Sequence, residues 1–302
     1  MKNKVCILMA AYNGGQYIQE QIKTILEQKD VEITLYIRLD PSSDDSQILI
    51  QDFVNRYSNI NILALGEPSG SAGQNFFQLI LQVNFSGYDY IAFADQDDIW
   101  FPEKLSRAIK CINKNNVDAY SGNVIAWWES GKEKLVHKSS PQKKFDYFFE
   151  SAGPGCTFVF KKEFAVELKH YLKTLGNDVK RLWLHDWFCY AFARSRGYRW
   201  FIDSMPMMKY RQHDLNSVGA NSGFSALKQR IGEVLSGNAF EKVLVQAELL
   251  GLSDEKPMLL LQSNKASTSI RLCLYANQCR RKPVDKAFFM FAMLIRSVVG
   301  TK

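Results

Sequence analysis

No apolar run in this chain approaches the roughly 20 residues that a bilayer-spanning helix needs, so nothing in it should cross a membrane. No signal peptide opens it, since the N-terminus enters a strand pattern almost at once, and the expected location is cytoplasmic. Cysteine is scattered. Cys6, Cys111, Cys156, Cys189, Cys273 and Cys279 show neither the paired spacing of a metal knuckle nor that of a disulfide framework, and reduced thiols are expected. There is no internal repeat and no low-complexity tract, which excludes a solenoid and a long disordered linker. What remains is 302 residues, 46% hydrophobic and 23% charged: an ordinary globular composition with enough chain for one large domain or two unequal ones.

The net charge of +7 is unevenly spread. Residues 223–302 hold 12 Lys/Arg against 6 Asp/Glu, a balance of +6, which leaves +1 for residues 1–222. Basic surface therefore belongs to the tail, which could meet anionic lipid, nucleic acid or an acidic partner.

Along the first 110 residues, strand and helix patterns alternate four times. Strands are expected at Val5–Ala10, Ile33–Ile37, Ile60–Leu65 and Tyr88–Ala94. Helices are expected over Tyr17–Gln28, from Ser43, around Asn75–Val83 and from Pro102. That alternation predicts an α/β fold with helices on both faces of a mostly parallel sheet, whose ligands bind at the carboxyl ends of the strands. Further on, Tyr120–Trp128 and Cys156–Phe160 read as strands, Glu163 opens a helix, Trp183–Arg196 reads as a helix and Tyr198–Ile202 as a strand. From about Ser225 the pattern is helical. The domains expected are 1–222, with a nucleotide-binding half at 1–114 and an acceptor half at 115–222, and a helical, basic region at 223–302.

The run Ala94-Asp95-Gln96-Asp97-Asp98-Ile99-Trp100 carries most of the chemistry. Three carboxylates in four positions at a strand end repel one another unless positive charge sits among them, and a hard divalent cation with oxygen ligands is one solution. The other is a solvated acidic loop. Tyr12, Asp40 and Asp95–Asp98 all fall at predicted strand ends, so separate strands converge on one rim.

Ala10-Ala11-Tyr12-Asn13-Gly14, Asp40 with Ser42, Ser43 and Asp44, the Asp95-Gln96-Asp97-Asp98 cluster, His185-Asp186, and Tyr210-Arg211-Gln212-His213 occur in this order. Together they resemble the family-2 inverting glycosyltransferases of GT-A type over about residues 1–220. The form Asp-Gln-Asp-Asp-Ile-Trp with a later Arg-Gln-His is most similar to bacterial rhamnosyltransferases of cell-surface polysaccharide assembly. The resemblance implies a GT-A type Rossmann-like fold and a nucleotide-sugar donor, dTDP- or UDP-linked, with Ala10, Tyr12, Asp40, Asp95 and Gln96 lining its site. It implies Mg²⁺ or Mn²⁺ on Asp97, with His213 as a further ligand, and Asp186 as general base. Asp98, His185 and Trp187 fall on the acceptor side, where a glycan or lipid-linked glycan would bind. Where the family usually has Asp-Asp-Gly-Ser, this chain has Leu39-Asp40-Pro41-Ser42, and Asp44 reads as a helix N-cap.

A nucleotidyltransferase is a second reading of the same site, but Ala11–Gly15 has no Lys or Arg to hold a triphosphate. A non-catalytic scaffold using the basic tail is a third, although nothing there resembles a nucleic-acid-reading module, and no nucleic-acid partner is expected. In the tail, Phe288–Ile295 is apolar on every side and flanked by Arg280-Arg281-Lys282, Lys286 and Arg296. An in-plane helix at an anionic membrane surface, docking on the core, and an oligomer built through the C-terminal helices all fit that mixture. The first would make the protein peripheral at the inner face of the cell membrane.

Overall fold

The computed structural model describes residues 2–64, 66–213, 231–263 and 265–299. The expected end of the third strand at Leu65 and the start of the helical pattern near Ser225 lie outside these. By internal contacts the chain forms two units: residues 1–139, 152–180 and 184–219, and residues 140–151, 181–183 and 220–302.

The first unit is built on a seven-stranded sheet. Its strands are β1 (Asn3–Ala11), β2 (Val31–Leu39), β3 (Ile60–Ile62), β4 (Tyr90–Asp95), β6 (Ala119–Gly122), β9 (Val159–Lys161) and β10 (Trp200–Asp203), in the order β10-β6-β9-β4-β1-β2-β3. The pairs β1/β2, β1/β4, β2/β3 and β6/β10 are parallel, while β9 runs antiparallel between β4 and β6. Strand β1 is central, and its residues from Val5 to Ala11 are buried without alternation, as expected of a strand covered on both faces. The cover comes from helices α1 (Ile18–Leu26), α2 (Ser46–Arg56), α3 (Ala72–Gln82), α4 (Lys104–Asn115), α5 (Lys162–Leu175) and α6 (His185–Ser195). In α1, Ile18, Gln21, Ile22 and Ile25 form the buried stripe, three and four residues apart. Helix α4 stops where Asn116 turns into the left-handed region at φ 48°, a common end signal.

A second, four-stranded sheet has the order β5-β11-β7-β8, from β5 (Ile99–Trp100), β11 (Met208–Arg211), β7 (Val124–Trp127) and β8 (Glu133–Val136). Strand β11 has no counterpart in the pattern reading. The expected single strand Tyr120–Trp128 is two, one in each sheet. The break is at Asn123, which is buried and spends its side chain on the backbone. Its Oδ1 accepts from Lys138 N–H at 2.6 Å and Ser139 N–H at 3.0 Å, and its Nδ2 donates to Ser204 O at 2.8 Å. The expected strand Cys156–Phe160 begins instead as a tight turn over Gly155–Thr157, with Thr157 Oγ1 donating to Pro154 O at 2.7 Å.

The second unit holds helices α7 (Asn238–Leu249), α8 (Lys256–Gln262), α9 (Ala266–Cys273), α10 (Ala276–Cys279) and α11 (Pro283–Val299). Residues 140–151 join it: Phe145 N–H donates to Gln278 O at 2.8 Å, and Arg280 Nη1 to Phe149 O at 2.7 Å. Arg281 is buried there beside Asp146 and Glu150. Among the described residues, no helix is long and apolar enough to cross a membrane.

The end of β10 is fixed by Asp203, which is buried and accepts from Arg107 Nε at 2.7 Å, Arg107 Nη2 at 3.1 Å and Tyr120 Oη at 3.0 Å. Burial opposes its ionisation, but these donors outweigh burial and its pKa is lowered. A carboxylate with a depressed folded pKa gives stability that is present above its unfolded pKa of about 3.9 and is lost as pH falls through the folded value. Asp203→Asn should therefore lower unfolding free energy by about 2 kcal/mol at neutral pH, with the gap to wild type closing in strong acid. Urea titrations at the two pH values will check this.

Candidate active site

The carboxyl ends of β1, β2 and β4 lie side by side because β1 pairs with both others in parallel register, with Ala10 opposite both Arg38 and Asp95. The loops after β1 and β2 are stitched together. Asn13 N–H donates to Ser42 Oγ at 3.0 Å, Gly14 N–H to Ser46 Oγ at 2.8 Å and Gly15 N–H to Asp44 Oδ2 at 2.8 Å. Asp44 also accepts from Ser46 N–H at 3.1 Å, but the N-cap position of α2 is Asp45, one residue beyond the expected cap, and its side chain makes no capping bond. Tyr12 stands on this rim with its ring 58% exposed. Gln96 braces Tyr12: its Oε1 accepts from Tyr12 N–H at 2.8 Å and its Nε2 donates to Tyr12 O at 2.9 Å.

Asp40 is not a bare carboxylate. It is ion-paired with Arg38 and accepts from Ser69 Oγ at 2.8 Å and Ser69 N–H at 3.1 Å. The loop carrying Ser69 is held in turn by Arg38 Nη2 donating to Glu67 O at 3.1 Å.

In the acid turn after β4, Asp97 Oδ2 lies 2.7 Å from His213 Nε2. These two residues, 116 positions apart, thus meet as a carboxylate–imidazole pair. Arg211 locks the turn from the neighbouring strand β11. Its Nε donates to Asp97 O at 2.8 Å, its N–H to Asp98 Oδ1 at 3.3 Å, and its guanidinium pairs with Glu20. The guanidinium carbon lies 4.5 Å from the Tyr17 ring centre and 4.6 Å from that of Trp127, close enough for cation–π attraction on both sides.

Beneath the turn lie Asp98, Cys156 and Lys104, all buried. Burial first, then the neighbouring Asp97 carboxylate, pushes the Asp95 pKa up to about 7, and the same causes push Asp98 well above the carboxylate range. Burial pulls Lys104 down to about 7, against the attraction of Cys156, Asp98 and Asp95. Its ammonium has no hydrogen-bond partner among the described residues and sits 3.4 Å from the Trp100 ring centre. With little positive charge beside them, Asp95 and Asp98 lean toward their neutral forms. Asp98 keeps one buried oxygen with no hydrogen-bond partner among the described residues. Ligand atoms of Asp95, Asp98 and Cys156 lie within 4.8 Å of one another. Burial raises the Cys156 thiol pKa strongly, so it stays protonated and a poor ligand. The Asp97–His213 pair at the rim is the donor set that suits a divalent cation of the Mg²⁺/Mn²⁺ kind, which bind few protein groups and leave positions for phosphate oxygens.

Asp186 opens α6, and Trp187 N–H donates to its Oδ1 at 2.6 Å. It is near enough to Asp95 to raise that group's pKa. Asp98, His185 and Trp187, expected on the acceptor side, are all buried. The His185 ring stacks on Phe76 at 3.9 Å between centres, and burial lowers its pKa to about 3. Neither of its nitrogens has a hydrogen-bond partner among the described residues, so it does not orient Asp186 by a hydrogen bond.

Pattern reading gave no role to Lys104, Arg38 or Arg211. Lys104 had one signal: a cation in the first turn of a helix opposes the helix dipole and needs a reason to be there.

The family model for glycosyl transferase family 2 matches residues 6–169. The chain belongs to glycosyl transferase family 2. It is 43% identical over 288 residues to the dTDP-rhamnosyl transferase RfbG of Shigella flexneri, covering 95% of this chain and 99% of that one. It is 26% identical to the UDP-Glc:alpha-D-GlcNAc-diphosphoundecaprenol beta-1,3-glucosyltransferase WfgD of Escherichia coli, over 84% of this chain and 88% of the other. Among solved structures, Staphylococcus aureus TarS 1-349 in complex with UDP-GlcNAc superposes with a TM-score of 0.57 at 13% identity, covering 98% of this chain and 89% of that one. The mannosyltransferase PcManGT of Pyrobaculum calidifontis, in complex with GDP-Man and Mn²⁺, gives 0.51 at 15% identity, over 99% and 87%. The fold is therefore that of the GT-A glycosyltransferases, and this chain is a glycosyltransferase.

Gly155 tests how tightly this glycosyltransferase site is built. A methyl group there would fall 2.3 Å from His185 Nε2 and 3.3 Å from Asp186 Cβ. The His185 ring is buried and stacked on Phe76, so it has little room to yield. Gly155→Ala should cost about 2 kcal/mol of stability by overpacking and depress turnover by displacing Asp186. Thermal unfolding and a nucleoside diphosphate release assay will measure both.

Proposed function

We propose that the protein moves rhamnose from dTDP-rhamnose to a lipid-linked glycan, with inversion at the anomeric carbon, in the synthesis of a bacterial surface polysaccharide. The observation that carries this reading is the Asp97–His213 pair at 2.7 Å, on the rim shared by Tyr12, Asp40 and Asp95. The relationship to a dTDP-rhamnosyl transferase along nearly the whole chain supports the donor. The relative whose name specifies a diphosphoundecaprenol-linked sugar supports the lipid-linked acceptor.

The exposed Tyr12 ring offers a flat face to the thymine base. Asp40, held by Arg38 and Ser69 through three hydrogen bonds, keeps a lone pair on Oδ2 to accept from the base N–H, a group that thymine and uracil share. Asp95 binds the ribose hydroxyls, and Asp97 and His213 would hold Mg²⁺ or Mn²⁺. When bound there, the cation supplies positive charge where the departing diphosphate gathers negative charge. Asp186 accepts the proton of the acceptor hydroxyl as that oxygen bonds to the anomeric carbon. The bond from that carbon to the phosphate oxygen breaks, and its electron pair leaves with dTDP. Asp98 supports the turn from below. Its carboxylate accepts from the Arg211 backbone, which suits a positioning residue.

Nucleotidyl transfer fits this site less well. The amides of Asn13, Gly14 and Gly15, which would have to cradle a triphosphate, are already bonded to Ser42, Ser46 and Asp44.

Release of dTDP from dTDP-rhamnose in the presence of acceptor should stop with excess EDTA and return with Mn²⁺. Full turnover in chelator would remove the metal from the mechanism. Asp186→Asn should keep the wild-type melting temperature and donor affinity while kcat falls by roughly 10²- to 10⁴-fold, the usual worth of a general base.

A further inference from the structure

Helix α11 is apolar on two opposite sides. One side packs inward through Phe289, Ala292 and Met293, which are buried. The other is left open: Val284, Phe291 and Leu294 are 78%, 46% and 51% exposed, and Val298 is 86% exposed. Val284, Phe291 and Val298 are seven residues apart, with Ala287 and Leu294 between them at the same spacing, so they form one straight stripe two turns per repeat. Helix α9 runs alongside. Cys273 Sγ approaches Met290 O at 3.7 Å, and Arg296 Nη1 donates to Ser269 Oγ at 2.9 Å. Leu274, next to Cys273 and 80% exposed, enlarges the apolar surface.

The segment that carries this stripe is basic. Residues 256–299 contain eight Lys/Arg and a single Asp/Glu, Asp285, which lies 3.8 Å from Arg280. Three of the eight are spent inside the unit: Arg280 on Phe149 O, Arg281 beside Asp146 and Glu150, and Arg296 on Ser269 and Leu261. The other five, Lys256, Lys265, Arg271, Lys282 and Lys286, have no ion pair among the described residues. Lys282 and Lys286, both partly exposed, flank Val284 in sequence at the N-terminal end of the helix, and Arg271 adjoins the exposed Ile270.

An exposed apolar stripe on a helix can be covered by a second copy of the same chain or by lipid. A twofold contact would set this cationic surface against itself, and like charges at close range oppose it. An anionic bilayer meets both features at once, because its headgroups attract the lysines and its acyl boundary accepts the apolar side chains. At 17 residues the helix is about 26 Å long, short of what a span requires. We infer that α11 and α9 form a docking surface for anionic phospholipid, with α11 lying in the plane of the membrane face and Phe291, Leu294 and Val298 reaching below the headgroups.

Flotation with the full-length protein tests this without any nucleotide sugar, so the result does not depend on the donor or the chemistry. Wild type should float with vesicles of equal parts phosphatidylglycerol and phosphatidylethanolamine, stay behind with phosphatidylcholine alone, and detach as salt is raised. Lys282→Glu with Lys286→Glu should weaken partitioning by roughly tenfold or more, since each basic residue near an anionic surface is worth about fivefold. Phe291→Glu with Leu294→Glu should weaken it at least as much. All four side chains lie at least partly exposed, so melting temperature should hold in both double variants. Equal binding to both vesicle types, or variants that bind like wild type, would overturn the inference. So would a wild-type dimer in sedimentation that the Phe291→Glu, Leu294→Glu variant converts to monomer, since the stripe would then face a second copy.

Discussion

Crowded negative charge at the end of β4 is the constraint around which the first unit is organised. Asp95, Asp97 and Asp98 fall within four residues, and two of them are driven toward protonation by burial and by one another. Such a turn holds its shape only if other elements bring compensating groups to it. Arg211 arrives on β11 and bonds to the backbone of Asp97 and the carboxylate of Asp98. His213 follows two residues later and meets Asp97, while Lys104 comes from below at the start of α4. The small second sheet exists largely to deliver Arg211 and His213, since β11 pairs with β5, which directly follows the acid turn.

The same logic gives the site its chemistry. A rim short of positive charge is one that a cation and its phosphate ligands can complete, and this glycosyltransferase keeps the groups that matter rigid. Tyr12 is braced by Gln96, Asp40 by Arg38 and Ser69, and Asp186 stands on the first turn of a helix beside the Gly155 turn. Polar groups held by packing and hydrogen bonds need no reorganisation when charge develops on the substrate.

Much of this was legible in the chain itself. The alternation of strand and helix over the first 110 residues gave the parallel sheet, and the strand ends gave the rim, because burial on both faces and the 3.6-residue period leave direct traces in residue type. Reading failed where a single residue redirects the backbone. Asn123 splits one apparent strand between two sheets, and the turn after Pro154 runs on to Thr157, into the expected strand Cys156–Phe160. It failed also for residues whose partner is remote. Nothing local to Arg211 reveals Asp97 and Asp98, more than 110 positions away.

Sequence alone determined the identity and order of the candidate site residues: the acids after β4, the aspartate at 186 and the histidine at 213, together with a basic tail. Those are matters of composition and local spacing. Tertiary structure alone decided which acids face solvent and which are sealed inside, that Asp97 meets His213, and that the apolar tail helix turns one stripe inward and leaves the other open. Burial and partnership are properties of what packs against a residue, and no window of neighbouring residues contains that information.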